Sequence, residues 1–161
     1  MPEAVLADPD ATRAWGSRLA RVLRAGDLVV LTGDLGAGKT TLTQGLGDGL
    51  GVRGPVTSPT FVIARVHPSL TGGPALVHVD AYRLSGAVEL DDLDLDADLD
   101  ASVVVVEWGE GLAEQLSSDR LELVLTAGPD ETRRVRVTAT GARWAQPQAR
   151  TALDELVSEP D

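Results

Sequence analysis

Gly33-Asp34-Leu35-Gly36-Ala37-Gly38-Lys39-Thr40 fits the pattern GxxxxGK[ST]. Four positions are fixed, and at ordinary residue frequencies chance matches arise at roughly 4 in 100,000 positions. The chemistry of a phosphate-binding loop explains each residue. Glycines let the chain curl so that several backbone N–H groups point inward at phosphate oxygens. The helix that follows adds its positive N-terminal end. Lysine extends a compact charge on a flexible stem to the β- and γ-phosphates, and a planar guanidinium is no substitute there. The Thr40 hydroxyl suits Mg²⁺. The plain alternative is a glycine-rich turn carrying one exposed lysine.

Composition sharpens this motif. Of the 14 basic residues, Lys39 alone is lysine and the others are arginine. The chain has no asparagine, and Ile63 is its only isoleucine, a bias of the kind a GC-rich genome produces. Lysine has therefore been kept at the one position where arginine cannot do the work. The NKxD motif common in guanine-specific GTPases needs an asparagine and a second lysine, so ATP is favoured over GTP.

A phosphate loop needs a carboxylate at the end of a neighbouring strand to hold Mg²⁺ or its water. Asp80 ends the apolar run ALVHV, and Glu107 ends VVVV. One is expected near the metal and the other near the attacking water, and spacing does not assign them. Ser58-Pro59-Thr60 reads as a turn or as a switch segment in which Thr60 senses the γ-phosphate. Other candidates have plainer readings. His67 and His78 lack metal-ligand spacing and read as structural or exposed. Trp108 reads as strand-end packing or as a nucleotide contact. Arg133, Arg134 and Arg136 read as a solvated hairpin face or as a contact to nucleotide or partner. Leu84-Ser85-Gly86 matches the start of the transporter signature LSGGQ but continues Ala87-Val88, and the domain is too small for that family.

The elements that must position these residues follow from pattern. Asp8 and Pro9 open a helix expected over Pro9 to Ala25, with Trp15, Leu19, Val22 and Leu23 on one face and Gly26 as its stop. Leu28 to Thr32 is a short buried strand. The loop of Gly33 to Gly38 follows, then a helix from Lys39 to Leu50. Gly45, Gly47 and Gly49 each cost that helix about 1 kcal/mol relative to alanine, so packing or a ligand must support it, or it ends near Gly45. Residues 60 to 66 and 75 to 79 read as strands joined by a turn over Pro68 to Pro74. Residues 103 to 106 should be buried on both faces. Residues 120 to 126 and 133 to 139 alternate as an antiparallel hairpin with one wet face. Gln148 to Val157 reads as a short amphipathic helix.

With 161 residues and 16.8 kDa, the chain is expected to form one domain over 1 to 161, with about 142 to 161 as an extension of unclear role. The absence of cysteine excludes disulfides, zinc–thiolate sites and thiol nucleophiles. A net charge of −11 with 3% aromatics argues against a chain that grips nucleic acid or anionic membrane by itself. Seven acids fall between Glu89 and Asp100, a solvated segment or a docking surface for a basic partner. No run is apolar enough to span a bilayer and no export signal is visible, so a cytoplasmic protein is expected.

GDLGAGKTT at 33 to 41, then Ser58-Pro59-Thr60-Phe61, then His78-Val79-Asp80-Ala81-Tyr82-Arg83-Leu84, then Glu107-Trp108 occur in this order. Together they resemble the bacterial TsaE (YjeE) family of tRNA threonylcarbamoyladenosine biosynthesis ATPases, over roughly residues 10 to 140. The resemblance implies an α/β, P-loop NTPase-like sheet with a parallel centre and antiparallel edge strands, flanked by helices. It implies Mg-ATP bound at Gly36, Ala37, Gly38, Lys39, Thr40 and Thr41, with Thr40 and Glu107 as metal ligands. Asp80, Lys39 and Thr60 are the implied catalytic residues, and Tyr82 and Arg83 belong to the signature. The implied partners are a two-protein threonylcarbamoyl synthase and, through it, tRNA reading codons that begin with A. The pair modifies the adenosine beside the anticodon, and hydrolysis drives or resets the assembly. A small-molecule P-loop kinase is the alternative, although neither an arginine-bearing lid nor a substrate insert is evident. A nucleotide-gated binding module is a third reading.

Overall fold

The computed structural model describes residues 3–33, 37–52, 64–80, 101–107 and 119–158. Gly36, Thr60, Tyr82, Arg83, Trp108, the first part of the expected 60–66 strand and the acidic run of 89–100 lie outside the described residues.

Among the described residues seven strands form one mixed sheet: β1 (Glu3–Leu6), β2 (Leu28–Thr32), β3 (Ala64–His67), β4 (Ala75–Asp80), β5 (Ser102–Glu107), β6 (Arg120–Ala127) and β7 (Arg133–Thr140). Their order is β1-β7-β6-β2-β5-β4-β3. β6, β2, β5 and β4 run parallel, while β3 pairs antiparallel with β4 at one side, and at the other β7 pairs antiparallel with β6 and β1 antiparallel with β7. This is the expected parallel centre with antiparallel edges. Strands buried on both faces read as continuous apolar runs, and every residue of β5 is buried. The β6–β7 hairpin instead alternates, with Leu121, Leu123, Leu125, Val135 and Val137 in the core.

Helix α1 (Pro9–Ala20) begins as the sequence indicates: Asp8 is extended and its Oδ1 accepts the Ala11 N–H at 2.8 Å. It stops five residues short of the expected Ala25. A competing turn explains this: Asp27 Oδ2 accepts the Arg24 N–H at 2.7 Å, and Gly26, at φ 97°, donates to Ser102 O. The chain is thereby turned onto the sheet before Leu28.

Helix α2 (Lys39–Leu50) runs its full length and ends where Gly51 takes a left-handed conformation at φ 72°. It does not stop at Gly45, because its glycines form a packing surface. A Cβ on Gly45 would lie 1.9 Å from Arg13 O, and one on Gly49 would lie 2.5 Å from Ser17 O. Across the interface, a Cβ on Gly16 would lie 2.3 Å from Leu42 O. Residues four apart share a helix face, so Gly45 and Gly49 meet the Gly16–Ala20 face of α1 almost backbone to backbone. The packing that propensity lacks comes from this contact and from buried Leu42 and Leu46 beneath it.

The C-terminal segment forms two helices, α3 (Ala142–Ala145) and α4 (Pro147–Ser158). The sequence assigns this segment no role, yet it completes the core. Trp144, Ala149, Leu153 and Leu156 join the main apolar cluster, and Trp15 Nε1 donates to Leu156 O at 3.3 Å. Arg143 holds buried Asp27 through two bonds of 3.0 and 3.1 Å, donates to Val22 O, and stacks over Trp144 at 4.2 Å. The early turn after α1 is thus pinned from the far end of the chain. No helix among the described residues is long and apolar enough to cross a membrane.

Candidate functional site

The phosphate loop leaves the carboxyl end of β2 and enters α2. Its first glycine is required by space: a Cβ on Gly33 would lie 2.7 Å from Leu125 O on β6. Its last, Gly38, adopts φ 100°, a left-handed conformation that L side chains rarely take. Among the described residues no side chain caps α2, and its first turn holds no acid. The positive N-terminal end of a helix suits an anion. Ala37 is buried in the main apolar cluster. Thr40 and Thr41 are half-buried in the first turn. Lys39 is only 6% exposed, and its Nζ donates to Gly33 O at 2.5 Å, closing the loop on itself.

The two acids lie on neighbouring strands at the same edge of the sheet. Glu107 is in register with Leu31 of β2 on one side and with Asp80 of β4 on the other. Parallel neighbours are about 4.8 Å apart. Glu107 is therefore one strand from the phosphate loop, and Asp80 is two. Ligands of open α/β sheets bind at the carboxyl ends of the strands, which is where this row of residues lies.

Glu107 is 5% exposed, and its Oε2 meets His78 Nε2 at 2.5 Å. His78 is fully buried. Its reading as structural or exposed is therefore incomplete: it is the side chain that contacts the candidate metal ligand. The sequence carried no local signal for this contact, since 29 positions separate the two residues. His67 is also buried.

The three hairpin arginines separate. Arg134 and Arg136 reach Glu3 of β1 at 3.0 and 3.4 Å, so they close a sheet edge. Arg133 lies over the phosphate loop, with its Nε 3.6 Å from the position a Gly38 Cβ would occupy.

Comparison with known proteins shows the family of the chain. The family model described as Threonylcarbamoyl adenosine biosynthesis protein TsaE matches residues 6–135. The chain belongs to the TsaE family. A Streptomyces coelicolor protein named tRNA threonylcarbamoyladenosine biosynthesis protein TsaE is 67% identical over 138 residues, covering 83% of this chain and 93% of that one. A Mycobacterium tuberculosis protein of the same name is 55% identical, covering 76% and 77%. The crystal structure of Bacillus subtilis YdiB superposes with a TM-score of 0.71 at 32% identity, over 96% of this chain and 92% of that one.

Membership of the TsaE family makes a small-molecule kinase the disfavoured reading. The matched span ends in β7, so α3 and α4 lie beyond it although they fill the core here. The donor set also fits the ion that the resemblance implies. Among the described residues no three His, Asp or Glu side chains converge as a metal cage. Mg²⁺ does not need one, since it is usually held by one or two carboxylates together with phosphate and water oxygens. A buried carboxylate one strand from a threonine-bearing phosphate loop offers that oxygen set.

Proposed function

We propose that this chain binds Mg-ATP on the 33–41 loop and hydrolyses it to drive or reset a two-protein threonylcarbamoyl synthase. It reaches tRNA only through that pair. The observation that carries the proposal is the placement of buried Glu107 on the strand beside the phosphate loop, with Lys39 closing that loop.

The roles follow from position and chemistry. Backbone N–H groups of Gly36, Ala37, Gly38, Lys39, Thr40 and Thr41 hold the phosphates. Lys39 exchanges its bond to Gly33 O for the β- and γ-phosphate oxygens. Arg133 adds a second cation above Gly38. Thr40 and Glu107 would hold Mg²⁺, which when bound neutralises charge on the phosphate oxygens. Asp80, one strand further out, orients or deprotonates the attacking water, and Thr60 contacts the γ-phosphate. The chain acts as a single cytoplasmic ATPase domain over 1 to 161, with the tail as structural support. A charge of −11 suits a protein that serves RNA chemistry through protein partners and does not grip RNA itself.

The test is steady-state ATP turnover of the purified chain, alone and with the synthase pair and tRNA. Weak turnover alone and a clear increase with the partners are expected. Partners that neither bind the chain nor change its turnover would overturn the proposal.

A further inference from the structure

We propose that His78 is a positioning residue that fixes the Glu107 carboxylate for the metal. The inference rests on the reading of Glu107 as a magnesium ligand. An ionised carboxylate can only accept hydrogen bonds, so in the 2.5 Å contact the hydrogen is carried by His78 Nε2. With Oε2 held in this way, Oε1 is the oxygen left for a ligand.

Three features make the contact more than a stray bond. First, both groups are buried, at 0% and 6% side-chain exposure, so water does not compete for the carboxylate. A buried charge without a hydrogen-bond partner is costly, and among the described residues His78 is the side-chain partner that Glu107 has. Second, the two positions are rigidly related. His78 is in register with Val105, two residues before Glu107, in an unbroken parallel ladder from Ala75–Ser102 to Asp80–Glu107. A glutamate at the end of a strand has three free side-chain torsions, and the imidazole removes that freedom before the ion arrives. Third, the residue type suits the task. A lysine or arginine here would bring a fixed positive charge to a place a cation must share. Carboxylates that ligate metals are themselves commonly held by such outer partners, and losing one typically weakens metal affinity or activity by about 10- to 100-fold.

The test separates positioning from packing by variants of similar polarity. His78→Asn is too short to reach Oε2. His78→Gln places an amide N–H near the position of Nε2. Binding of a fluorescent ADP analogue is titrated with Mg²⁺ for each, and repeated in EDTA, with thermal melting as a check on folding. The expected result for His78→Asn is a Mg²⁺ midpoint raised about tenfold or more, with metal-free affinity within about twofold of the parent. His78→Gln should recover most of the midpoint shift while melting no higher than His78→Asn. A midpoint for His78→Asn equal to the parent's, in a series where Glu107→Gln raises it, would overturn the positioning role alone. A Glu107→Gln midpoint equal to the parent's would overturn the ligand reading and this inference with it. If His78→Asn does not fold, His78→Gln decides: a midpoint near the parent's supports the role, and one raised as far as that of Glu107→Gln overturns it.

Discussion

Replacing Gly45 with alanine sets two physical effects against each other. Helix propensity alone favours alanine over glycine by about 1 kcal/mol, so Gly45→Ala should stabilise an isolated α2. In the folded chain the new Cβ would lie 1.9 Å from Arg13 O, 2.7 Å from Arg13 C and 2.9 Å from Arg13 Cα. All three are backbone atoms, so no side-chain rotation relieves the overlap. The helices must separate by at least about 1 Å, which disturbs the close packing of Leu42, Leu46 and Leu19 around them. Overpacking of a well-filled interface costs about 1–3 kcal/mol, and a backbone clash belongs at the upper end. The net expectation is a loss of about 2 kcal/mol after the propensity gain. For a chain of this size that lowers the melting temperature by about 4–8 °C. Differential scanning calorimetry of the purified chain measures it. Gly49→Ala should shift in the same direction, since its Cβ meets Ser17 O at 2.5 Å. A melting temperature that rises for Gly45→Ala would refute the backbone-to-backbone packing of α1 on α2. It would also remove the explanation given for a glycine-rich helix beneath a phosphate loop.

Other expectations follow from the same contacts. Lys39→Ala removes a charge-assisted bond worth about 1.5–3 kcal/mol, so ATP affinity measured by calorimetric titration should fall by about tenfold to a hundredfold; unchanged affinity would show that the loop does not hold phosphate. Arg143→Leu leaves buried Asp27 without its ion-pair partner, and breaking such a pair costs about 3–5 kcal/mol; urea denaturation should show a matching fall in stability, and a change below the roughly 1 kcal/mol of an average point mutation would contradict a structural role for the tail. The exposed Arg13–Asp48 pair, at 2.7 Å, holds the Arg13 guanidinium above its ordinary range, first through the hydrogen bond to Asp48 and then through its charge. A raised arginine contributes stability that is present below its unfolded pKa and lost only at higher pH. Arg13→Met should therefore leave the shape of the stability profile across neutral pH unchanged, as measured by melting at several pH values.

Local pattern carried much of this fold. Leu28–Thr32 reads as a strand because five apolar or β-favouring residues sit between turn signals, and it is one. The 120–126 and 133–139 alternation reads as a hairpin for the same kind of reason. The features that escaped depend on partners distant in sequence. β1 is only four residues long, with Val5 56% exposed, and its strand character comes from pairing with β7 at the other end of the chain. The end of α1 is set by Arg24, Gly26 and Asp27, and Asp27 is itself held by Arg143. The purpose of Gly45 and Gly49 is legible only once Arg13 and Ser17 lie across from them. Within the site, the loop was legible because its residues are contiguous. The His78–Glu107 contact was not, because 29 positions separate two residues that the sheet register brings together. Composition misled in neither direction: the single lysine does sit buried at the loop.

The most direct test of the central claim is formation of threonylcarbamoyladenosine on tRNA by the synthase pair, followed over many turnovers with ATP and with this chain or its Lys39→Ala variant. The account predicts that the parent chain sustains repeated turnover and that the variant does not. Equal product from the two, or equal product with no chain added, would contradict it.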